Sequence, residues 1–206
     1  MGKVLVVGVG AGREHLTPEA AQAIASAKAF AGGREALKVA PQGMPTHEIG
    51  NIEDALRFVE EHLSSGNVAV LTSGDSTLYS ILEVLRRRLG EEVLEVVPGV
   101  SWVQVCFARL KRCWNGVRVL SLHGRSLEEL GELSGDVAIL CDPTNTPQRV
   151  AAHLLELVGD RRCAVCDCLC SPGERVVVGW LSEVAGMRFS GRSVMVVWNE
   201  APRDKG

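Results

Sequence analysis

No apolar run in this 206-residue sequence approaches the length needed to span a bilayer. No charged-then-apolar leader precedes the first hydrophobic stretch, so the sequence predicts a cytoplasmic protein. A basic excess is also missing. The formal net charge is −3, which gives no electrostatic case for nucleic acid. Val6 stands where myristoylation after Met1-Gly2 would want Ser or Thr. Internal repeats and low-complexity stretches are absent as well, and no acid–base constellation is written compactly in the chain. Aromatic residues are scarce, nine in all, yet four of them are Trp, a residue enriched at binding hot spots. What remains is ordinary for a globular chain able to bury a sizeable core: 46% hydrophobic and 23% charged residues.

The organising stretch is the amino-terminal one. Lys3-Val4-Leu5-Val6-Val7 is a continuous apolar run too short for a helix, followed by Gly8, Gly10 and Gly12. It reads as a buried parallel strand leaving its sheet through a tight loop. Thr17-Pro18-Glu19 then reads as a helix start, with Thr17 as N-cap and Pro18 in the first turn. Strand, glycine loop and helix are how α/β proteins build a pocket beyond the carboxyl edge of a sheet. A dinucleotide fingerprint is nevertheless excluded. Its third glycine would fall at Arg13, and the later acidic residue is missing from Ala27-Lys28-Ala29-Phe30-Ala31-Gly32.

Further along, Asn51 caps a helix with Ile52, Leu56, Val59 and Leu63 on one face. Val68–Leu71 is a buried strand ending in Thr72-Ser73-Gly74-Asp75-Ser76. The spacing of Leu78, Ile81, Leu82, Leu85 and Leu89 predicts a helix, with Arg86-Arg87-Arg88 on its solvated side. A strand over Val93–Val97 stops at Pro98-Gly99, and Ser101–Leu110 reads as helix. The rhythm breaks over Lys111–Gly116, which predicts two α/β domains, 1–113 and 114–206. The second restarts with a strand at Val117–Leu120 and the loop His123-Gly124-Arg125. A strand at Val137–Leu140 leads into Cys141-Asp142-Pro143-Thr144-Asn145-Thr146-Pro147, and a helix runs on to Val158. Strands at Arg162–Leu169, Arg175–Val178 and Ser193–Val197, separated by Ser-Pro-Gly and Gly punctuation, suggest antiparallel pairing.

Seven cysteines, an odd number without an export signal, read as reduced thiols. Four crowd into Cys163-Ala-Val-Cys166-Asp-Cys168-Leu-Cys170. Either they form a metal or redox site, or Cys166, Cys168 and Cys170 alternate onto one face of a strand as small hydrophobes. Zinc ligands are usually spaced by two to four residues on turns, so the strand is preferred and no metal is expected.

Taken together, Gly8-Val-Gly10-Ala-Gly12 with Leu16-Thr17, Ser73-Gly74-Asp75, and Pro98-Gly99-Val100-Ser101 resemble, in order and spacing, the ligand loops of the tetrapyrrole (corrin/porphyrin) methylases. Gln104–Leu110, Trp114, Ser121-Leu122-His123-Gly124-Arg125 and Asp142–Pro147 are similar to the branch that methylates C5 of the corrin precursor, precorrin-6B or cobalt-precorrin-7. The resemblance covers about residues 3–198. It implies a two-domain α/β fold with a mainly parallel amino-terminal sheet, a mixed carboxyl-terminal sheet and a ligand cleft between them. It also implies S-adenosylmethionine as methyl donor, in cobalamin biosynthesis.

Carried over by position, the donor contacts implied are Gly10, Ala11, Ser73, Gly74, Asp75, Leu78, Ser101 and Trp102, with Cys141 and Leu169 from the second domain. Asp75 also reads as a helix N-cap, a role compatible with binding the donor. This chain departs from the family pattern at Ala11 (usually Pro), Arg13 (usually Asp), Ser76 (usually Pro) and Trp102 (usually small). An indole at 102 would wall the adenine site or partly fill it. Methyl transfer from a sulfonium is an in-line displacement, mostly a matter of alignment and water exclusion. Candidate proton acceptors are Glu14, His15 and His123. Arg13, Arg109 and Arg125 are candidates to clamp substrate carboxylates, although each also reads as a surface residue. The resemblance implies a homodimer and a separate chain for C15 methylation and decarboxylation. Two alternatives remain: the same fold acting on another acceptor, as diphthine synthase does, or a non-catalytic metal-handling module built on the cysteines.

Overall fold

The computed structural model describes residues 2–131 and 133–202. The chain divides into two compact units, Met1–Trp102 and Val103–Gly206. The division falls at the start of the helix that follows Ser101, whereas the sequence places it after residue 113.

The first unit is a five-stranded sheet in the order β3-β2-β4-β1-β5, parallel at every pairing. Its strands are β1 (Val4–Gly8), β2 (Ala27–Gly32), β3 (Thr46–Glu48), β4 (Asn67–Thr72) and β5 (Leu94–Val97). The interior strand β1 is apolar throughout because both its faces are covered. Leu5 and Val7 join Ala69, Leu71 and Phe30 under Ala20 and Ile24 of helix α1 (Pro18–Ser26). Val4 and Val6 join Ala29, Ala31, Val68 and Val70. That face is covered by Leu56, Val59 and Leu63 of α2 (Ile52–Leu63) and Leu85 of α3 (Leu82–Leu89). The caps hold as read: Thr17 Oγ1 accepts from Ala20 N at 3.1 Å, and Asn51 Oδ1 from Glu53 N at 2.8 Å.

Two expectations change here. Ala27–Gly32, noticed in the sequence only for its missing acid, is strand β2. The third helix begins at Leu82 rather than Leu78. The buried Ser76 hydroxyl donates to Val97 O at 2.8 Å, Tyr79 takes a left-handed φ of 50°, and Ser80 Oγ receives Leu82 N at 3.1 Å. These bonds turn the chain before a helix can start.

The second unit opens with most of α4 (Trp102–Leu110) and holds a mixed sheet ordered β6-β7-β10-β8-β9. Its strands are β6 (Arg118–Ser121), β7 (Val137–Leu140), β8 (Arg162–Asp167), β9 (Arg175–Trp180) and β10 (Ser193–Val197). Only β6 and β7 pair in parallel; the tail strands are antiparallel, as their punctuation suggests. One face packs Ile139, Val165, Met195 and Val197 against α5 (Pro147–Val158) and the short α6 (Leu181–Ala185). Thr146 does not cap α5 with its side chain, although the Pro147 start is as expected.

The cysteine strand also ends early. β8 stops at Asp167, whose carboxylate accepts from the hydroxyls of Ser190 and Ser193 at 2.6 Å each. Burial works against that charge, but the serine bonds, Ser190 N–H and Arg175 outweigh it and lower its pKa. Beyond it Cys168 and Cys170 sit in a turn with φ of 50° and 57°. Cys166, Cys168 and Cys170 therefore do not line one strand face. Cys163 and Cys166, an odd number of residues apart, point to opposite faces of β8, so the four cysteines do not converge on one metal. Among the described residues, no helix is long and apolar enough to cross a membrane.

Candidate functional site

The loops leaving β1, β4 and β5 meet backbone to backbone. Gly10 N donates to Gly74 O at 3.1 Å and Gly74 N returns to Gly10 O at 2.9 Å, an isolated antiparallel bridge. The third loop packs onto both of the others. A Cβ at Gly99 would lie 2.3 Å from Gly74 O and 2.7 Å from Gly8 O, so no side chain fits there.

Asp75 fastens the second loop to the third. Its Oδ2 accepts Gly99 N at 2.9 Å, and its Oδ1 accepts Thr77 N at 2.8 Å together with the Thr77 hydroxyl. Partial burial works against the charge. Bonds from the Thr77 hydroxyl, Gly99 N–H, Thr77 N–H and Leu78 N–H outweigh it and hold the pKa below the ordinary aspartate value. Asp75 thus caps a turn rather than a helix. A carboxylate offers about four lone-pair sites, so Oδ2 retains acceptor capacity beyond Gly99.

Trp102 closes on the same loop. Its Nε1 donates to Ser73 Oγ at 3.2 Å, and its Cδ1 lies 3.1 Å from where a Gly74 Cβ would be. Ser73 is exposed, Leu78 is half-buried, and Ala11 and Ser101 are buried. Gly10, Ser73, Gly74, Asp75 and Trp102 are therefore joined by direct contacts. Ser76 in place of Pro gains a function, because its hydroxyl ties the second loop to the end of β5. Arg13 and Glu14 are exposed on the short 3-10 turn after the first loop, with His15 half-buried 4.0 Å from Glu14.

The second unit repeats the device with different residues. Asp142, 7% exposed, accepts Thr144 N at 2.8 Å and Asn145 N at 2.5 Å on Oδ1, and Gly124 N at 3.3 Å on Oδ2. Burial opposes its charge, yet the N–H groups of Asn145, Gly124 and Thr144, with His123 nearby, lower its pKa. Asn145 Nδ2 donates to Leu122 O at 3.0 Å and Arg125 O at 2.9 Å. These bonds pin the His123-Gly124-Arg125 turn. In the sequence Asp142 and Asn145 stand within the Asp142–Pro147 motif, and nothing local marks this task. His123 itself is exposed, its Nδ1 3.3 Å from Ser121 Oγ. Arg125 pairs with Glu129 at 3.6 Å.

Arg109 is held at 2.6 Å by Glu174, whose other oxygen accepts Cys170 N at 2.7 Å. That pairing makes it a brace for the cysteine turn. Cys141 and Leu169 are both buried, at strand ends beside the start of β10. Burial pushes the Cys141 thiol well above its ordinary pKa, so it serves as a small apolar group.

Removing the Asn145 amide takes its donor from Arg125 O and leaves Leu122 O only the Arg125 N–H at 3.1 Å, at a cost of about 1–3 kcal/mol. Asn145→Ala should lower the thermal midpoint by about 3–10 °C. An unchanged midpoint would show that the turn is held by other means.

The comparisons agree with this architecture. The family model described as Tetrapyrrole (Corrin/Porphyrin) Methylases matches residues 3–185. The chain is 35% identical over 155 residues to the cobalt-precorrin-7 C(5)-methyltransferase of Salmonella typhimurium, covering 73% of this chain and 76% of that protein. It is similar to the crystal structure of the cobalamin biosynthesis precorrin-6Y methylase of Archaeoglobus fulgidus, with a TM-score of 0.76 and 28% identity, covering 98% of this chain and 100% of that one. It also shares the fold of the Thermus thermophilus uroporphyrin-III C-methyl transferase crystallised with S-adenyl homocysteine, with a TM-score of 0.73 and 23% identity, covering 96% and 92%. A parallel sheet with three interlocked glycine loops, a mixed second sheet and a match over most of the chain have one reading: the chain belongs to the tetrapyrrole (corrin/porphyrin) methylases.

Proposed function

We propose that the protein transfers a methyl group to C5 of cobalt-precorrin-7 in cobalamin biosynthesis. The observation that carries this finer assignment is the 35% identity to the Salmonella C(5)-methyltransferase. The coarser activity, methylation of a tetrapyrrole, follows from the family. S-adenosylmethionine is the methyl donor, and its sulfonium supplies a good leaving group for in-line displacement.

The chain's own contribution is position. Gly10, Ala11, Ser73, Gly74, Leu78, Ser101 and Trp102 form the first unit's part of the donor site in this proposal. The fit rests on close backbone approach: Gly74 O and Gly8 O leave no room for a Cβ at Gly99, so the three loops pack together only with glycine there. Asp75 fixes the spacing of the second and third loops, and the Trp102 indole forms a wall that excludes water. Arg13 and Arg125 are the arginines proposed to meet substrate carboxylates; Arg109 is engaged by Glu174. His123, Glu14 and His15 are the proposed proton acceptors.

Incubation with labelled donor and a panel of tetrapyrroles tests the reading. The expected product carries one new methyl on C5 of the corrin precursor. Transfer only to a protein acceptor, or to another ring position, would overturn the C5 assignment.

The proposal includes a homodimer of about 44 kDa, twice the 22.1 kDa chain. Trp114 is 41% exposed, and Val176 and Val178 are 40% and 50% exposed on the edge strand β9, apolar surface suited to a symmetric contact. Light scattering at micromolar concentration should return the dimer mass; a single monomeric mass would refute it.

A further inference from the structure

Cys106 in the middle of α4 and Cys166 on β8 are both fully buried, and their sulfur atoms lie 3.0 Å apart. Neither belongs to the donor loops or to the Asn145 clamp. In the reduced protein the Cys106 thiol donates to Cys166 Sγ, and Cys166 Sγ lies 3.8 Å from Cys106 O. Two sulfurs at this separation are well inside ordinary van der Waals contact. A disulfide requires about 2.0 Å, so the atoms need to close by only about 1 Å. Both residues sit within one unit, so the bond needs no rearrangement between units.

We propose that Cys106 and Cys166 form a redox pair that closes to an intramolecular disulfide when the protein meets hydrogen peroxide. One thiol attacks the peroxide oxygen, breaking the O–O bond and giving a sulfenic acid and water. The second thiol then displaces the hydroxyl from sulfur, forming the S–S bond and a second water. Two electrons pass from the thiols to the peroxide, and two S–H bonds are lost for the one S–S bond made.

The hydrogen bond to Cys166 and then burial push the Cys106 thiol well above its ordinary value. Thiolate is therefore scarce, and the pair reacts more slowly than Cys113, which is exposed. The oxidant reaches it through local opening of the helix. Once formed, the bond spans 60 residues of chain and staples α4 to the sheet. It would thus lock the helix that begins at Trp102, the residue resting on the second loop.

The test is peroxide treatment of the folded protein, then denaturation, alkylation of remaining thiols and peptide mapping. The expected result is a cross-linked peptide pair containing Cys106 and Cys166, lighter by two hydrogen atoms and absent after reduction. The reducible thermal midpoint should rise by about 5–10 °C. Cys166→Ser and, independently, Cys106→Ala should abolish both the peptide and the shift. Recovery of both cysteines as separately alkylated or separately oxidised peptides would overturn the proposal. So would cross-links involving only Cys113, Cys168 or Cys170, or a midpoint rise that persists in the two variants.

Discussion

Asp75→Ala should weaken S-adenosylmethionine binding by about 1–3 kcal/mol, or about 5- to 150-fold, as measured by calorimetry. The carboxylate bonds the third loop from the second, through Gly99 N at 2.9 Å. Without it Gly99 N–H and Thr77 N–H lose their acceptor, and the spacing between the loops is no longer set. The sheet beneath is untouched, so the variant should stay folded, with a modest loss of thermal stability. Asp75→Asn keeps an acceptor oxygen and should lie between the two.

The pH dependence has a definite sign. The folded-state pKa of Asp75 lies below its ordinary value, 3.8, so its contribution is fully present above about pH 4. It is lost as the pH falls through the folded-state value. Asp142 and Asp167 are lowered in the same direction and add to this acid sensitivity. Donor affinity in Asp75→Ala equal to the parent's would remove Asp75 from the site.

Gly99→Ala should be more severe. Its Cβ would stand 2.3 Å from Gly74 O and 2.7 Å from Gly8 O, both backbone atoms that cannot rotate away. Forcing the loops apart should cost about 1–3 kcal/mol or more in stability. Donor binding should be lost beyond that measured for Asp75→Ala, because the cradle itself opens. Gly33→Ala is the control, since nothing lies within 4 Å of a Cβ there. Full donor affinity in Gly99→Ala would show that the close contact of the three loops is not what binds the donor.

The sequence carries the strands whose two faces are both covered. Val4–Val7 and Val68–Leu71 are unbroken apolar runs, and they are interior strands of the sheet. β2 escapes notice because Ala27-Lys28-Ala29-Phe30-Ala31-Gly32 is built of small residues with an exposed lysine, and its strand character comes from pairing with β3 and β4. The alternating cysteines mislead for the opposite reason. Period two is written through Cys170, but the Asp167 carboxylate ends the strand by bonding Ser190 and Ser193, more than twenty residues later.

The site divides in the same way. Glycine loops after apolar runs are legible locally, and so is the ordered set of motifs that carries the family resemblance. The fastenings are not. Asp75 meets Gly99 across 24 residues, and Asn145 meets Leu122 across 23. No local pattern announces such a pairing. Arg109 shows the converse: a cation that reads as a substrate clamp is bonded to Glu174, 65 residues away.

The claim on which the rest depends is that the three amino-terminal loops bind the donor. A crystal of the protein soaked with S-adenosylhomocysteine tests it most directly. The ligand should lie against Gly10, Ser73-Gly74 and Ser101-Trp102, with the Trp102 indole beside the adenosine and Asp75 still bonded to Gly99 N–H. Ligand bound elsewhere on the chain, with these loops bare, would contradict the account.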